Sequence, residues 1–259
     1  MKAKRIIPCL DICKGKVVKG VNFVGLREVG NPLDYALEYA KQGADEIVFL
    51  DIAASAENRA DTINLIKEAS KEISIPIVAG GGIGSVEDIG LYLQAGASKV
   101  TINSAAVKNP QIIREGSSKY GSKKIVVAID GKKIAKDRYN VMISGGRVDT
   151  GIDLMKWARE AENLGAGEIL LTSMDADGVK CGFDIDMLKA VCSAVKIPVI
   201  ASGGCGTVGH FIRVFKETAC DAALAASIFH YGDLTVDTVK RILESNDITV
   251  RNNGGGVCA

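Results

Sequence analysis

The stretch PIVAGGGIGS at positions 76–85 is followed, 122 positions later, by PVIASGGCGT at positions 198–207. Each begins with proline and a short apolar run and ends in a glycine-rich turn, which is the pattern of a buried strand that leads into a tight loop. A second pair has the same spacing: GADEIVFLD at 43–51 and GAGEILLTS at 165–173. A spacing that recurs in separate motifs indicates a chain built from two similar halves.

Short runs of β-branched residues recur along the whole chain, and most are apolar throughout rather than alternating with polar residues. Such runs are typical of strands that are buried on both faces of a parallel sheet. Segments with apolar residues at helical spacing separate them. The predicted strands are Arg5–Asp11, Glu46–Asp51, Ile77–Gly80, Lys99–Ile102, Ile125–Asp130, Glu168–Ser173, Val199–Ala201 and Ala222–Ala225. The predicted helices are Leu33–Lys41, Thr62–Lys71, Val86–Ala95, Pro110–Tyr120, Asp153–Leu164, Ile185–Ala194, Val208–Lys216 and Thr235–Leu243.

Strands that alternate with helices, eight of each in about 250 residues, predict an α/β fold of the closed (β/α)8 TIM-barrel type. A doubly wound open sheet is the alternative, but an open sheet gives no reason for the internal repeat. We therefore expect one domain over residues 1–251, made of half-barrels at about 1–121 and 122–251. Residues 252–259 are expected to form a disordered tail.

The composition excludes several classes of function. The chain has 259 residues, with 32 Lys and Arg against 31 Asp and Glu, which argues against a protein held by the phosphates of nucleic acid. It contains no apolar run long enough for a membrane span and no signal peptide, so we expect a cytoplasmic protein. Seven scattered cysteines without a CxxC pair, and only two histidines, predict free thiols and no metal site. The absence of a P-loop and of a dinucleotide fingerprint predicts no nucleotide cofactor.

Two aspartates end repeat-equivalent strands. Asp11 ends the first predicted strand and Asp130 ends the fifth. In an eight-stranded ring these strands lie opposite each other, and reactive groups of such barrels gather at the carboxyl ends of the strands. Two opposed carboxylates suit general acid–base chemistry on a substrate between them. The alternative for either residue is a structural cap of a loop or helix.

Small residues at the ends of four strands indicate anion sites. Gly80–Gly82 and Asn103–Ser104 end strands 3 and 4, and Gly203–Gly204 and Ala226–Ser227 end strands 7 and 8. Such residues let backbone N–H groups approach an anion. Asp177–Gly178, after strand 6, is expected to join the second pair. Two such cradles across one mouth predict a substrate with a phosphate at each end, although glycines that only make turns are the alternative.

Charged residues stand out at both ends of the predicted barrel. The loop Cys13–Phe23 carries Lys14, Lys16 and Lys19. It is interpreted either as a mobile lysine-bearing flap over the substrate or as a solvated charged loop. Ser144–Arg147, in the long connection after strand 5, is a weaker candidate for a second closing loop. Four charged residues begin strands at the opposite face, and because buried charges need partners they are expected to form an ionic ring, as a structural plug or a functional gate. These four residues are Arg5, Glu46, Lys99 and Glu168.

Many motifs in order resemble one known family. AKRIIPCLDI, GKVVKGVNF, GADEIVFLDI, GGGI, INSAAVKNP, VVAID, GAGEILLTSMDADG, IPVIASGG and AALAASIFH resemble the cyclase subunits of imidazole glycerol phosphate synthase, which act in histidine biosynthesis. The resemblance runs from about residue 1 to residue 251. It implies a bisphosphate substrate, a phosphoribulosyl-formimino aminoimidazole carboxamide nucleotide. Ammonia condenses with its ribulosyl ketone, and the adduct is cyclised and cleaved to imidazole glycerol phosphate and aminoimidazole carboxamide ribotide.

The resemblance also assigns roles to residues and implies a partner. The acid–base pair falls on Asp11 and Asp130, and the loop lysine on Lys19. A glutaminase subunit, docked at the amino-terminal face of the barrel, is implied to supply ammonia through the barrel interior. One phosphate site falls on Gly82, Asn103 and Ser104, the other on Asp177, Gly178, Gly204, Ala226 and Ser227, and the ammonia gate on Arg5, Glu46, Lys99 and Glu168.

Three alternatives stay open beside this interpretation. They are the sister isomerase of the same pathway, a paralogue that channels ammonia to another amidotransferase pathway, and a barrel kept only as a scaffold for the glutaminase. The chain also departs from the usual family pattern at four positions, of which Ser98 bears on partner recognition. These positions are Ala53, Gly84, Ser98 and Lys123.

Overall fold

The computed structural model describes residues 2–21, 24–53, 59–230, 232 and 234–252, with the backbone alone at 19–21 and 24–26. Apart from Asn252, the tail predicted at 252–259 lies outside the described residues, and so does Cys258. None of the helices in the described part of the chain is both long and apolar enough to cross a membrane.

The strands of the described residues belong to one twelve-stranded sheet, whose parallel part closes into a ring. The strands are β1 (Arg5–Cys13), β2 (Lys16–Val21), β3 (Val24–Gly30), β4 (Ile47–Asp51), β5 (Ile77–Gly80), β6 (Lys99–Ile102), β7 (Ile125–Ala135), β8 (Arg138–Ile143), β9 (Val148–Asp153), β10 (Glu168–Ser173), β11 (Val199–Ser202) and β12 (Ala222–Ala225).

Eight of these strands form the barrel that the sequence predicts. The ring runs β1, β4, β5, β6, β7, β10, β11, β12 and returns to β1, and every neighbouring pair is parallel. The pairings β7–β10 and β12–β1 close the ring, which excludes the open doubly wound sheet. The (β/α)8 TIM-barrel prediction is confirmed.

Helices connect consecutive barrel strands. They are α1 (Pro32–Lys41), α2 (Arg59–Glu72), α3 (Val86–Gln94), α4 (Ser104–Lys108), α5 (Gln111–Tyr120), α6 (Leu154–Asn163), α7 (Ile185–Ala194), α8 (Val208–Glu217), α9 (Ser227–His230), α10 (Val236–Glu244) and a 3-10 turn at Ser122–Lys124. Side-chain caps explain where several begin. At α3, Ser85 accepts a hydrogen bond from the Asp88 backbone N–H at 3.1 Å while Asp88 accepts one from the Ser85 N–H, a capping box.

Two antiparallel hairpins extend the barrel at its mouth. After β1 the chain pairs β2 with β1 and β3 with β2, and after β7 it pairs β8 with β7 and β9 with β8. The segment predicted as a flexible flap, Cys13–Phe23, is therefore largely strand β2, with Asn22 and Phe23 outside the described residues. Both halves of the chain thus begin with a barrel strand and a hairpin, while the origin of the halves in a repeat stays a prediction.

The core has two layers, because successive residues of a strand point to opposite faces. On β1, Ile6, Leu10 and Ile12 pack in the cluster between the sheet and the helices. Ile7 and Cys9 belong to a smaller cluster in the barrel interior. The interior cluster consists of Ile7, Cys9, Val48, Val78, Val126, Ala128, Leu170, Ile200, Ala222 and Leu224.

Gly80 gives a test of this interior packing. It pairs with Thr101 on β6, and a Cβ atom at position 80 would lie 2.3 Å from Thr101 Cγ2. We expect Gly80→Ala to lower the free energy of unfolding by about 1–3 kcal/mol, the usual cost of overpacking. Because serine lacks that methyl group, the double variant with Thr101→Ser should recover most of the loss in a denaturation double-mutant cycle. A Gly80→Ala protein as stable as the parent would contradict this packing.

Candidate active site

Asp11 and Asp130 stand at the mouth, on strands that lie opposite each other. β1 and β7 occupy the first and fifth places of the eight-stranded ring. The alternation that turns Ile7 and Cys9 into the interior continues to Asp11, and Val126 and Ala128 are followed in the same way by Asp130. Both aspartates are therefore on the interior face, where the barrel part of each strand ends. The strands themselves run on into the hairpins: β7, predicted to end at Asp130, continues to Ala135, and β1 continues to Cys13.

Asp130 is held by a neighbour from the adjacent strand. The Asn103 side chain donates a hydrogen bond from Nδ2 to Asp130 Oδ2 at 2.9 Å. Burial raises the pKa of the Asp130 carboxyl to about 6, against the lowering effect of the Asn103 hydrogen bond and with a further increase from the charge of Asp177. A carboxyl group with this pKa is populated in both protonation states near neutral pH, as acid–base chemistry requires.

Asp11 has a different environment. The Cys9 thiol, two residues earlier on the same face of β1, lies 3.9 Å from Asp11 Oδ1 and is a weak donor to it. The side chain of Asp11 is half-buried at the rim. The two opposed aspartates therefore have unlike surroundings.

The first predicted phosphate cradle is assembled from the ends of β5 and β6. Gly81 has a φ of +100°, and a Cβ there would lie 2.1 Å from the Asp51 carbonyl oxygen, so the close approach requires glycine. Gly82 follows, also at positive φ. Asn103 precedes α4, whose first residue is Ser104. The structure thus brings Gly82, Asn103 and Ser104 to neighbouring strand ends.

The second cradle is assembled from the ends of β10, β11 and β12. A Cβ on Gly204 would lie 2.1 Å from the Gly182 carbonyl oxygen, and the Gly182 N–H donates to the Gly204 carbonyl at 2.7 Å. These contacts join the loops that follow β10 and β11. The loop after β10 contains Asp177 and Gly178, and Ala226 and Ser227 link β12 to α9. The predicted members of this cradle are therefore at adjacent strand ends.

The four charged residues at the opposite face contact one another as a closed set, here called the floor quartet (Arg5, Glu46, Lys99, Glu168). Arg5 bonds to Glu46 at 2.5 Å and also to Glu168. Lys99 bonds to both carboxylates at 2.8 Å. Positive and negative groups thus alternate around the ring. Arg5, Glu46 and Glu168 are almost fully buried, whereas the Lys99 side chain keeps 20% exposure.

Charge pairing outweighs burial within the floor quartet. Burial alone would lower the pKa of the Arg5 guanidinium, but Glu168 and Glu46 raise it above its ordinary value. Burial would likewise raise the pKa of Glu46, yet Arg5 and Lys99 hold it below its ordinary value. Arg5 and Glu46 therefore stay charged at neutral pH although they lie at the bottom of an apolar interior.

The mouth also contains Ser144, from the candidate closing loop Ser144–Arg147, and Thr101, which the sequence did not single out. The Ser144 N–H, in the turn between β8 and β9, donates to Ser104 Oγ at 3.0 Å, so the second hairpin reaches the first cradle. The Thr101 hydroxyl and Asn103 Oδ1 are buried and have no hydrogen-bond partner among the described residues. Lys99 and Thr101 on β6, and Asn103 directly after it, alternate with apolar residues, and that polar alternation is the signal that could have identified Thr101.

The remaining predicted positions are Lys19 and the four departures from the family pattern. Lys19 lies on β2 opposite Arg27, but its side chain is outside the described part of the structure. Ala53 donates its N–H to Asp51 at 3.0 Å. Gly84 donates to Asp88 at 2.9 Å. Of the other two departures from the family pattern, Ser98 is exposed directly before Lys99 and Lys123 is exposed in the 3-10 turn.

Comparison with known proteins identifies relatives over almost the entire chain. A family model described as "Histidine biosynthesis protein" matches residues 5–235. The "Imidazole glycerol phosphate synthase subunit HisF" of Bacillus cereus (strain Q1) is 56% identical over 251 residues, which cover 97% of this chain and 100% of the relative. The proteins of the same name from strains G9842 and ATCC 10987 / NRS 248 are 56% and 55% identical over the same shares.

The contact between Asn103 and Asp130 predicts a titration. In 13C NMR of the aspartate carboxyls, with Asp130→Asn used to assign the resonance, Asp130 should titrate near pH 6. Because the Asn103 donor stabilises the carboxylate, Asn103→Ala should move the midpoint to higher pH. The folded pKa exceeds the ordinary value of 3.8, so the carboxylate lowers stability above pH 6 and Asp130→Asn should stabilise the fold there. An Asp130 midpoint near pH 4 would contradict this geometry.

Proposed function

The chain belongs to the HisF family of imidazole glycerol phosphate synthase subunits, enzymes of histidine biosynthesis, and we propose that Asp11 and Asp130 are its acid–base pair. In the proposed reaction, ammonia condenses with the ribulosyl ketone of the bisphosphate substrate. The adduct is then cyclised and cleaved to imidazole glycerol phosphate and aminoimidazole carboxamide ribotide. The observation that carries the assignment is the opposed pair of interior carboxyls, one of which, Asp130, accepts a hydrogen bond from Asn103.

Each step of this reaction moves protons between nitrogen, oxygen and carbon atoms, so it needs groups that both give and take a proton. Asp130 can do both near neutral pH because burial raises its pKa. Asp11 faces it from the opposite strand, on the other side of a substrate that spans the mouth. A pair that acts from two sides can add a proton at one atom while removing one at another.

The two cradles are the proposed grips for the two phosphates. Gly82, Asn103 and Ser104 would hold one end of the substrate, with backbone N–H groups directed at the anion. The other end would be held by Asp177, Gly178, Gly204, Ala226 and Ser227. A molecule fixed at both ends keeps its reacting centre between the two aspartates, which lowers the entropic part of the barrier. Lys19, on the hairpin that follows β1, is proposed to cover the bound substrate.

Ammonia is proposed to enter the barrel at its amino-terminal face. The name of the relatives, a subunit, implies a partner, and we propose that a glutaminase subunit docks on the amino-terminal face of the barrel. Ammonia released there would pass the floor quartet and then the interior cluster, which includes the small side chains of Cys9, Ala128 and Ala222. We further propose that the complex works in the cytoplasm, without a metal or another cofactor.

Two substitutions test the acid–base pair. Asp11→Asn and Asp130→Asn should each lower ammonium-dependent turnover by about 10²–10⁴-fold, the usual contribution of an acid–base group. The measurement is formation of both products from the bisphosphate substrate in excess ammonium, with the melting temperature recorded to show that each variant folds.

Asp51→Asn is the matched control for these variants. Asp51 also ends a barrel strand, but it lies on the outer face, where it accepts hydrogen bonds from Thr62 and Ala53. Its replacement should leave turnover close to that of the parent. If either interior variant kept near-normal turnover, or if the control lost as much activity as they do, the assignment would be wrong.

The proposed ammonia route has a separate test. Lys99→Met opens the floor quartet and should impair turnover driven by glutamine, in the complex with the glutaminase subunit, more than turnover driven by free ammonium. Lys240→Met is the matched control, because Lys240 is also a lysine paired with a buried carboxylate, Asp45 at 2.9 Å, but lies outside the barrel interior. Equal losses in the two assays for Lys99→Met would remove the gate role.

A further inference from the structure

Two cysteines that the catalytic site does not use lie side by side close to the barrel floor. Cys192 is near the end of α7, and Cys220 stands two residues before β12. Their Sγ atoms are 3.6 Å apart, and both thiols are free. A disulfide bond is about 2.05 Å long, so the two sulfurs need to approach by only about 1.5 Å to join.

The two thiols differ in access and in charge. Cys192 is partly exposed, whereas Cys220 is fully buried. The hydrogen bond between the two sulfurs lowers the pKa of the Cys220 thiol despite its burial, and the same hydrogen bond together with burial raises the pKa of Cys192. The Lys4 ammonium, which bonds to the Cys220 carbonyl at 2.5 Å, adds positive charge beside the pair. This setting favours a thiolate on Cys220, held next to a sulfur that small molecules can reach.

We propose that Cys192 and Cys220 are a redox modification site that forms a reversible disulfide with a peroxide as oxidant. In the first step one thiol takes an oxygen atom from hydrogen peroxide, which gives a sulfenic acid and one water. The second sulfur then attacks the sulfenic sulfur, and the hydroxyl leaves as a second water. Two thiols and one peroxide thus give one disulfide and two waters, and a small dithiol reverses the reaction by exchange.

The position of Cys220 connects this site to the floor quartet. Its neighbour Asp221 accepts the backbone N–H of Arg5 at 3.2 Å and donates its own N–H to the Val199 carbonyl at 3.0 Å. The segment is therefore tied to the start of β1, where the Arg5 side chain bridges Glu46 and Glu168. A disulfide that draws Cys220 toward α7 should displace the backbone that carries Arg5. The effect on ammonia transfer that follows rests on the proposed function.

Peptide mapping tests the modification site without any assay of activity. The full chain is treated with one equivalent of hydrogen peroxide, alkylated and digested without reductant. We expect a mass lower by two hydrogen atoms and one linked pair of peptides, containing Cys192 and Cys220, that separates after dithiothreitol. Cys192→Ser should lose the link, whereas Cys181→Ser, which removes an exposed cysteine elsewhere, should keep it. Links through other cysteines, or Cys192 oxidised beyond the sulfenic acid without a link, would overturn the proposal.

The connection to the floor has its own readout. In the complex with the glutaminase subunit, peroxide should lower glutamine-driven turnover, and dithiothreitol should restore it. Turnover with free ammonium should stay at the level of the reduced protein, and Cys192→Ser should abolish the peroxide effect. Unchanged glutamine-driven turnover in a fully linked sample would overturn the connection to the floor. If instead the proposed function were wrong, the reduced protein would form no cyclised product with free ammonium.

Discussion

In a closed eight-stranded barrel every second residue of a strand points into one shared interior, and this constraint orders the molecule from floor to mouth. On β1 the interior residues run from Arg5 through Ile7 and Cys9 to Asp11. On β7 they run through Val126 and Ala128 to Asp130. Strand alternation and closure thus place the charged floor, the apolar middle and the acidic mouth along one interior. No interior residue of a strand can change faces without a shift of the whole strand.

Because the middle of the barrel is apolar, the charged groups at both ends carry a desolvation penalty, and the two ends offset it differently. At the floor, four charges satisfy one another, and removing one partner from such a buried set typically costs about 3–5 kcal/mol. At the mouth, Asp130 has only the Asn103 amide as its described hydrogen-bond donor, and the cost appears as a raised pKa. Arg5 and Glu46 at the floor are therefore stable as ions, while Asp130 at the mouth is poised to exchange a proton. The same desolvation penalty favours a closed set of ion pairs at the floor and a carboxyl with a raised pKa at the mouth.

The barrel could be predicted because its strands are continuous apolar runs between glycine turns; most of the predicted strands start and end within one residue of where the structure has them. The hairpins were missed because β2 and β8 mix polar and apolar residues and lie beside β1 and β7 only through antiparallel pairing after a tight turn. Strand ends located the aspartates and both cradles. Contacts between distant segments could not be predicted from the sequence. Examples are the hydrogen bond between Ser144 and Ser104 and the approach of Cys192 to Cys220, which are 28 positions apart. The raised pKa of Asp130 could not be predicted either, because it depends on how deeply the folded barrel buries the carboxyl.

The central claim is that one molecule with two phosphates lies between the two aspartates. A crystal structure of the Asp130→Asn protein soaked with the bisphosphate substrate tests it most directly. The account predicts one phosphate against Gly82 and Ser104, the other against Gly204 and Ser227, and the ribulosyl carbon atoms between position 130 and Asp11. A substrate bound with only one phosphate in a cradle, or with its reacting carbons away from both strand ends, would contradict it.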